Sequence, residues 1–219
     1  MEGMEEVKTC LIIGAAPLQN PHSLLSVYHL NDFVICADGG LQAAQECGIC
    51  PDLAVGDFDS FQGVVPKELP VIPLNPRKDD TDMLAAVNAG LERGFRRFVL
   101  AGSLGGRLDH SYGNLCVLHH LHELGCDAVL VGEKEEAYLI GAGEVRQLDC
   151  VVGTTVSVFP YACNICNVSY AGMRYPLDHH DLFSDLHQLP MGVSNVVEES
   201  PCSIAVHSGM ALVLIVKEL

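Results

Sequence analysis

The chain has no tryptophan, few aromatic residues of any kind (6%), and twelve lysines and arginines against twenty-eight aspartates and glutamates. The resulting charge of −16 argues against a nucleic-acid or anionic-membrane surface. If such a chain binds a polyphosphate, a metal ion must offset the repulsion. No run reaches eighteen consecutive apolar residues, so no transmembrane helix is expected. The opening Met1-Glu2-Gly3-Met4-Glu5-Glu6 is acidic where a secretory signal would be basic, and a cytoplasmic location is the expectation. Neither the P-loop spacing GxxxxGK(S/T) nor the dinucleotide spacing GxGxxG occurs, which removes the main support for either type of nucleotide site.

What is present is a 219-residue chain, 49% hydrophobic, long enough for one large or two small domains with a sizeable core. Its ten cysteines fall mostly in apolar runs (Cys10, Cys36, Cys116, Cys150), where cysteine acts as a small hydrophobe. Cys47 with Cys50 and Cys163 with Cys166 have ligand spacing, but neither pair is set in the short knuckle that structural zinc sites use. Free thiols are the expectation. His119, His120 and His122 ride one helix without HExxH or a ligand spacing with cysteine, and His179 and His180 precede Asp181. All five read as surface or packing residues.

Continuous apolar runs at Cys10–Ala15, Phe33–Ala37, Leu53–Val55, Val71–Leu74, Phe98–Ala101 and Ala128–Val131 read as strands of a mostly parallel sheet covered on both faces. Helices are expected around Ser23–Leu30, from Leu41 to Gly48, from Met83 to Gly94 and from Tyr112 to Gly125. After Gly141-Ala142-Gly143 only strand signals remain. Thr155–Phe159 alternates, and Ser203–Val216 reads as a hairpin packing inward through Ile204, Val206, Leu212 and Leu214. The fold class is therefore α/β, a mostly parallel nucleotide-binding domain (1–141) followed by a small all-β, sandwich-like domain (142–219).

The loops after those strands carry the chemistry. In Gly56-Asp57-Phe58-Asp59-Ser60, two carboxylates two apart in extended chain can converge on one cation, and such a set suits Mg²⁺, which takes oxygen ligands and substrate phosphates. A turn in which Asp and Ser bond their own backbone is the competing account. Lys78-Asp79-Asp80-Thr81-Asp82 lies at a helix start. If Asp79 and Asp82 share the first turn they add carboxylates for cation and substrate, although capping explains one or two of them. Asp38-Gly39-Gly40 and Gly102 to Gly106 lie at strand-to-helix turns, where glycine lets backbone N–H groups approach an anion, and Arg107 can clamp phosphate bidentately.

ADGG (37–40), GDFDS (56–60), KDDTD (78–82) and GGRLDH (105–110), in this order, closely resemble the motifs of the thiamin pyrophosphokinase family. GMRYPL (172–177) and GVSN (192–195) resemble that family's thiamin-binding segments. The resemblance implies transfer of a pyrophosphoryl group from ATP to the hydroxyl of thiamin, with release of AMP. It places Mg²⁺ on Asp57, Asp59 and Asp82, and the polyphosphate on Lys78 and Arg107. Asp38, Gly39, Gly40, Gly102, Gly105, Gly106 and Asp109 complete the nucleotide-binding set. Asp79 or Asp82 is nearest to a general base, and Asp82, Ser194 and Asn195 are nominated for thiamin. His110 belongs to the match but stays outside the catalytic set. A homodimer is implied, with thiamin between the α/β domain of one subunit and the β domain of the other. Some relatives stack thiamin on tryptophan, which this chain lacks. A metal-dependent nucleotide hydrolase, a diphosphokinase of another alcohol, and a non-catalytic nucleotide or thiamin sensor are the alternatives.

Overall fold

The computed structural model describes residues 8–58, 63–74, 81–185 and 192–217. Asp59, Lys78 and Asp79 lie outside them. The chain divides into two compact units, Met1–Glu133 and Lys134–Leu219.

In the first unit, β1 (Thr9–Ile13), β2 (Phe33–Ala37), β3 (Leu53–Gly56), β4 (Val71–Pro73), β5 (Arg97–Ala101) and β6 (Asp127–Val131) lie in the order β6-β5-β1-β2-β3-β4. Each neighbouring pair is parallel. Alternate residues of β1 face opposite layers. Leu11 and Ile13 join Val34, Cys36, Leu41 and Ala44, which places α1 (Gly40–Glu46) on one side. On the other side α2 (Asp82–Glu92) comes so close that a Cβ on Gly90 would lie 2.7 Å from the Phe98 ring and 3.1 Å from Cys10 Sγ. Cover on both faces is why β1 and β2 read as unbroken apolar runs. The third helix, α3 (Leu108–Glu123), buries Val117, Leu118 and Leu121.

The helix expected at Ser23–Leu30 is instead a single 3₁₀ segment, η1 (Pro21–Ser26), capped by the Asn20 side chain. It buries only Leu24, while Leu25 and Leu30 are exposed. One apolar anchor does not sustain an amphipathic helix.

In the second unit, β7 (Glu135–Gly141), β9 (Thr155–Pro160), β12 (Asn195–Val196) and β14 (Met210–Val216) run antiparallel in the order β12-β9-β14-β7. A four-stranded antiparallel sheet has the order β11-β10-β13-β8, from β8 (Val145–Leu148), β10 (Ile165–Ala171), β11 (Leu177–Phe183) and β13 (Cys202–Ser208). Residues of both sets, among them Ile140, Val158, Val168, Tyr170, Ile204, Val213 and Ile215, share one core, as in a sandwich.

Two expectations change here. The division falls after Glu133 rather than Gly141, because β7 pairs with β14 along its whole length. Gly141-Ala142-Gly143 is accordingly a tight turn inside the second unit, closed by Glu144 N–H to the Gly141 carbonyl (3.1 Å). Nor do β13 and β14 form a hairpin: they belong to different sheets, joined at Gly209 (φ 76°). Ile204 and Val206 do enter the sandwich core, but from β14 it is Ala211, Val213 and Ile215 that enter, not Leu212 and Leu214. The run MALVLIV is apolar on both faces, so it carries no alternation from which to choose one.

Candidate active site

The strand order reverses beside β1. From β1 the chain steps outward through β2, β3 and β4, and then returns to β1's other side with β5 and β6. In open parallel sheets the crevice at the carboxyl ends beside such a reversal is where ligands bind. The backbone is closely fitted there. Gly14 N–H donates to the Ala101 carbonyl (2.8 Å) and Ala16 N–H to the Gly102 carbonyl (3.0 Å). A Cβ on Gly14 would stand 2.7 Å from Gly102 O, and one on Gly102 (φ 59°) 2.7 Å from Gly14 O. Glycine at both positions lets the first and fifth strands exit side by side.

Asp38 and Gly56-Asp57 leave the next two strands. Asp38 N–H donates to the Val55 carbonyl (2.8 Å), and a Cβ on Gly56 would lie 3.0 Å from Asp38 Cα. The ends of β2 and β3 are thus drawn together, with Asp38 half-buried and Asp57 exposed. Gly40 opens α1 directly over β1, where a Cβ would be 1.9 Å from the Ile13 carbonyl oxygen. Gly39 precedes it as N-cap.

At α2 the competition between capping and ligation is decided for one residue. Thr81 is the N-cap, its Oγ1 accepting from Leu84 N–H (3.2 Å), and Asp82 is the first residue of the helix. Asp82 therefore lies in the first turn without being the cap, and Asp79 lies outside the described residues. Thr81 was missed as a positioning residue, although Thr before an apolar helical run is a recognisable cap signal.

After β5, Ser103 is buried, donates to the Leu100 carbonyl (2.6 Å) and has its own carbonyl held by the Asn114 amide (2.7 Å). Gly105 N–H donates to Ser111 Oγ (3.2 Å), and a Cβ on Gly106 would meet the Pro17 ring at 2.7 Å. Arg107, the N-cap of α3, pairs through Nε and Nη2 with the two Asp109 oxygens (3.1 and 2.5 Å). That side-chain hydrogen bond raises the Arg107 pKa and holds the Asp109 carboxyl below its ordinary value; both side chains are exposed. Among the described residues no three His, Cys, Asp or Glu side chains form a metal cluster.

In the second unit Ser194 is exposed at φ 58°, with its N–H on Ser157 Oγ (3.0 Å). Asn195 is buried. Its Oδ1 accepts from Tyr175 N–H (3.0 Å) and Val196 N–H (2.9 Å), and its Nδ2 donates to the Tyr175 carbonyl (2.9 Å). Asn195 is thus a clamp on the Tyr175 backbone, and the Tyr175 side of that clamp remains 63% exposed. Sequence reasoning missed this link because the partners are twenty positions apart with no local pattern between them.

Residues 25–130 match the family model for the thiamin pyrophosphokinase catalytic domain, a span that contains every first-unit candidate from Asp38 to Asp109. Over that span the chain is similar to the thiamin pyrophosphokinases. It is 25% identical over 178 residues to thiamine pyrophosphokinase of Bacillus subtilis, covering 79% of this chain and 83% of that protein. Among solved structures, thiamine pyrophosphokinase from Bacillus subtilis superposes with a TM-score of 0.83 at 22% identity, over 97% of this chain and 100% of that one. The enzyme from Geobacillus thermodenitrificans gives 0.80 at 24%, over 96% and 98%. That from Candida albicans gives 0.75 at 14%, over 96% and 89%. At these identities the superpositions show a shared fold, a large mostly parallel sheet with an antiparallel sheet.

Proposed function

We propose that this chain transfers a pyrophosphoryl group from ATP to the hydroxyl of thiamin, giving thiamin diphosphate and AMP. The observation that carries the reading is the crevice beside β1. There ADGG, the start of GDFDS and GGRLDH follow β2, β3 and β5 of one parallel sheet, inside the span that matches the catalytic family. Close glycine packing brings main chain, rather than side chains, to the crevice, a surface suited to phosphate oxygens.

The donors available there are carboxylate oxygens, which fit a hard divalent ion. Asp57 at the end of β3 and Asp82 at the start of α2, together with Asp59, would hold Mg²⁺. The chemistry that ion supplies is neutralisation of charge on the ATP oxygens. Arg107 and Lys78 orient the polyphosphate, with Arg107 exchanging Asp109 for phosphate oxygens. Asp38, Gly39, Gly40, Gly102, Gly105 and Gly106 line the nucleotide side, and Asp79 or Asp82 accepts the thiamin hydroxyl proton if a base is used. Positioning and electrostatics supply most of the acceleration in transfers of this class. In the second unit Ser194 and the exposed Tyr175 ring, fixed through Asn195, offer thiamin a hydroxyl and an aromatic face; Tyr175 fills the place of the missing tryptophan.

Incubation with thiamin, ATP and Mg²⁺, followed by product identification, tests the proposal. AMP release in proportion to thiamin diphosphate is expected. Nucleotide hydrolysis without thiamin would make the chain a hydrolase, and binding without turnover a sensor. We further propose a homodimer in the cytoplasm. Light scattering tests the first, fractionation the second. No described helix is long and apolar enough to cross a membrane.

A further inference from the structure

The α3 helix carries a feature that the proposed reaction does not use. Cys116 and His120 are both exposed, four residues apart on a regular helix whose opposite face buries Val117, Leu118 and Leu121. This corrects the expectation that no cysteine at ligand spacing accompanies the α3 histidines. Residues four apart on a helix stand one above the other, with Cβ atoms about 5–6 Å apart. A thiolate sulfur and an imidazole nitrogen reaching from that separation can meet one ion at the usual zinc bond lengths of about 2.3 and 2.0–2.1 Å.

We propose that Cys116 and His120 chelate a borderline-soft divalent cation of the zinc class, one ion per chain, with water completing the shell. Two observations favour a cation here. Glu123, exposed and three residues beyond His120, adds a carboxylate on the same side. The donors are sulfur and nitrogen, which discriminate against the hard ion suited to Asp57 and Asp82. Cys116, His120 and Glu123 do not form a three-membered metal cluster, and none is found among the described residues, so Glu123 adds charge rather than a bond, water must supply the remaining positions, and the ion stays exchangeable. On binding, the thiol proton leaves to solvent as the sulfur–metal bond forms, with no change of oxidation state.

Co²⁺ alone, titrated into the full chain under reducing, Mg²⁺-free conditions, is the probe, because a thiolate–Co²⁺ bond gives a near-ultraviolet charge-transfer band. One Co²⁺ per chain is expected, displaced by Zn²⁺ and not by excess Mg²⁺. Cys116→Ser should abolish the band and His120→Gln should weaken binding at least tenfold, about the smaller loss that even outer-sphere partners produce at metal sites. Cys50→Ser, at another exposed thiol, should leave the titration unchanged. All three positions are on the surface, so thermal melts should match the parent. A band that survives Cys116→Ser, binding unaffected by His120→Gln, loss on Cys50→Ser, or one ion per two chains would each overturn the proposal.

Discussion

At Gly14 and Asp38 the first unit holds its candidate crevice by backbone on backbone, whereas in the second Ser194 and Tyr175 are also tied by side chains. Asp38 is fixed through Val55, and Gly14 through Ala101. Ser194 and Tyr175 are fixed through Ser157 Oγ and the Asn195 amide. A backbone-built crevice tolerates changes of exposed side chains without moving, but not an added Cβ where strands converge. A side-chain clamp has the opposite weakness, since one truncation releases a whole turn.

The largest expected effect tests whether the first unit's exposed carboxylates serve chemistry alone. Asp57→Asn and Asp82→Asn should lower kcat on the order of a hundredfold or more, the usual scale for losing preorganised charge at a reacting centre. Asp57 is exposed and Asp82 half-buried on the helix that Thr81 caps, so the melting temperature should hardly change. Turnover within a few-fold of the parent in both would break the assignment.

Next in size is the added Cβ. Gly40→Ala would place a methyl carbon 1.9 Å from Ile13 O, and the forced shift should destabilise by about 3 kcal/mol, the upper end for overpacking. Gly48→Ala meets nothing within 4 Å and bears only the left-handed backbone conformation (φ 69°), about 1–2 kcal/mol. Urea denaturation of the two variants decides. Equal losses would mean that close approach to β1 is not what demands glycine at residue 40.

Asn195→Ala probes the side-chain clamp. It leaves Tyr175 N–H, Tyr175 C=O and Val196 N–H without their partner, at about 1–3 kcal/mol for buried groups. Ser157→Ala removes a single bond to Ser194 N–H, about 1 kcal/mol. Both should raise KM for thiamin more than they lower kcat, with Asn195→Ala the larger. A pure kcat loss in steady-state assays would move these residues from holding substrate to the reacting atoms.

The same contrast explains what the sequence allowed to be read. The parallel strands have no wrong face, so FVICA located β2 to the residue. In the sandwich a face must be chosen. MALVLIV offered none, and the outcome was a hairpin that is not there and two leucines placed on the wrong side. Long-range side-chain links such as Asn195 to Tyr175 leave no periodic trace. Thr81 does leave one, in its place just before Asp82 and the apolar helical run, where a threonine cap leaves Asp82 free of that role.

The smallest expected effect concerns Arg107 and Asp109, a place where the first unit relies on side chains. The guanidinium holds the Asp109 carboxyl below its ordinary range. A depressed carboxylate stabilises the fold above the ordinary carboxyl pKa and loses that contribution as pH falls through the lowered value. Both groups are solvent-exposed, so stability should barely register the pair. The carboxyl resonance should register it, and in Arg107→Gln its NMR titration should move up toward the ordinary value. Function offers the sharper reading. If phosphate oxygens replace Asp109 on the guanidinium, Asp109→Asn frees Arg107 beforehand and KM for ATP should fall a few-fold. Arg107→Lys, which keeps the charge but loses the planar fork, should raise it. A rise in KM for ATP on Asp109→Asn would instead make Asp109 a nucleotide contact in its own right. Arg107 and Asp109 would then act on ATP together, rather than Asp109 keeping Arg107 occupied until ATP arrives.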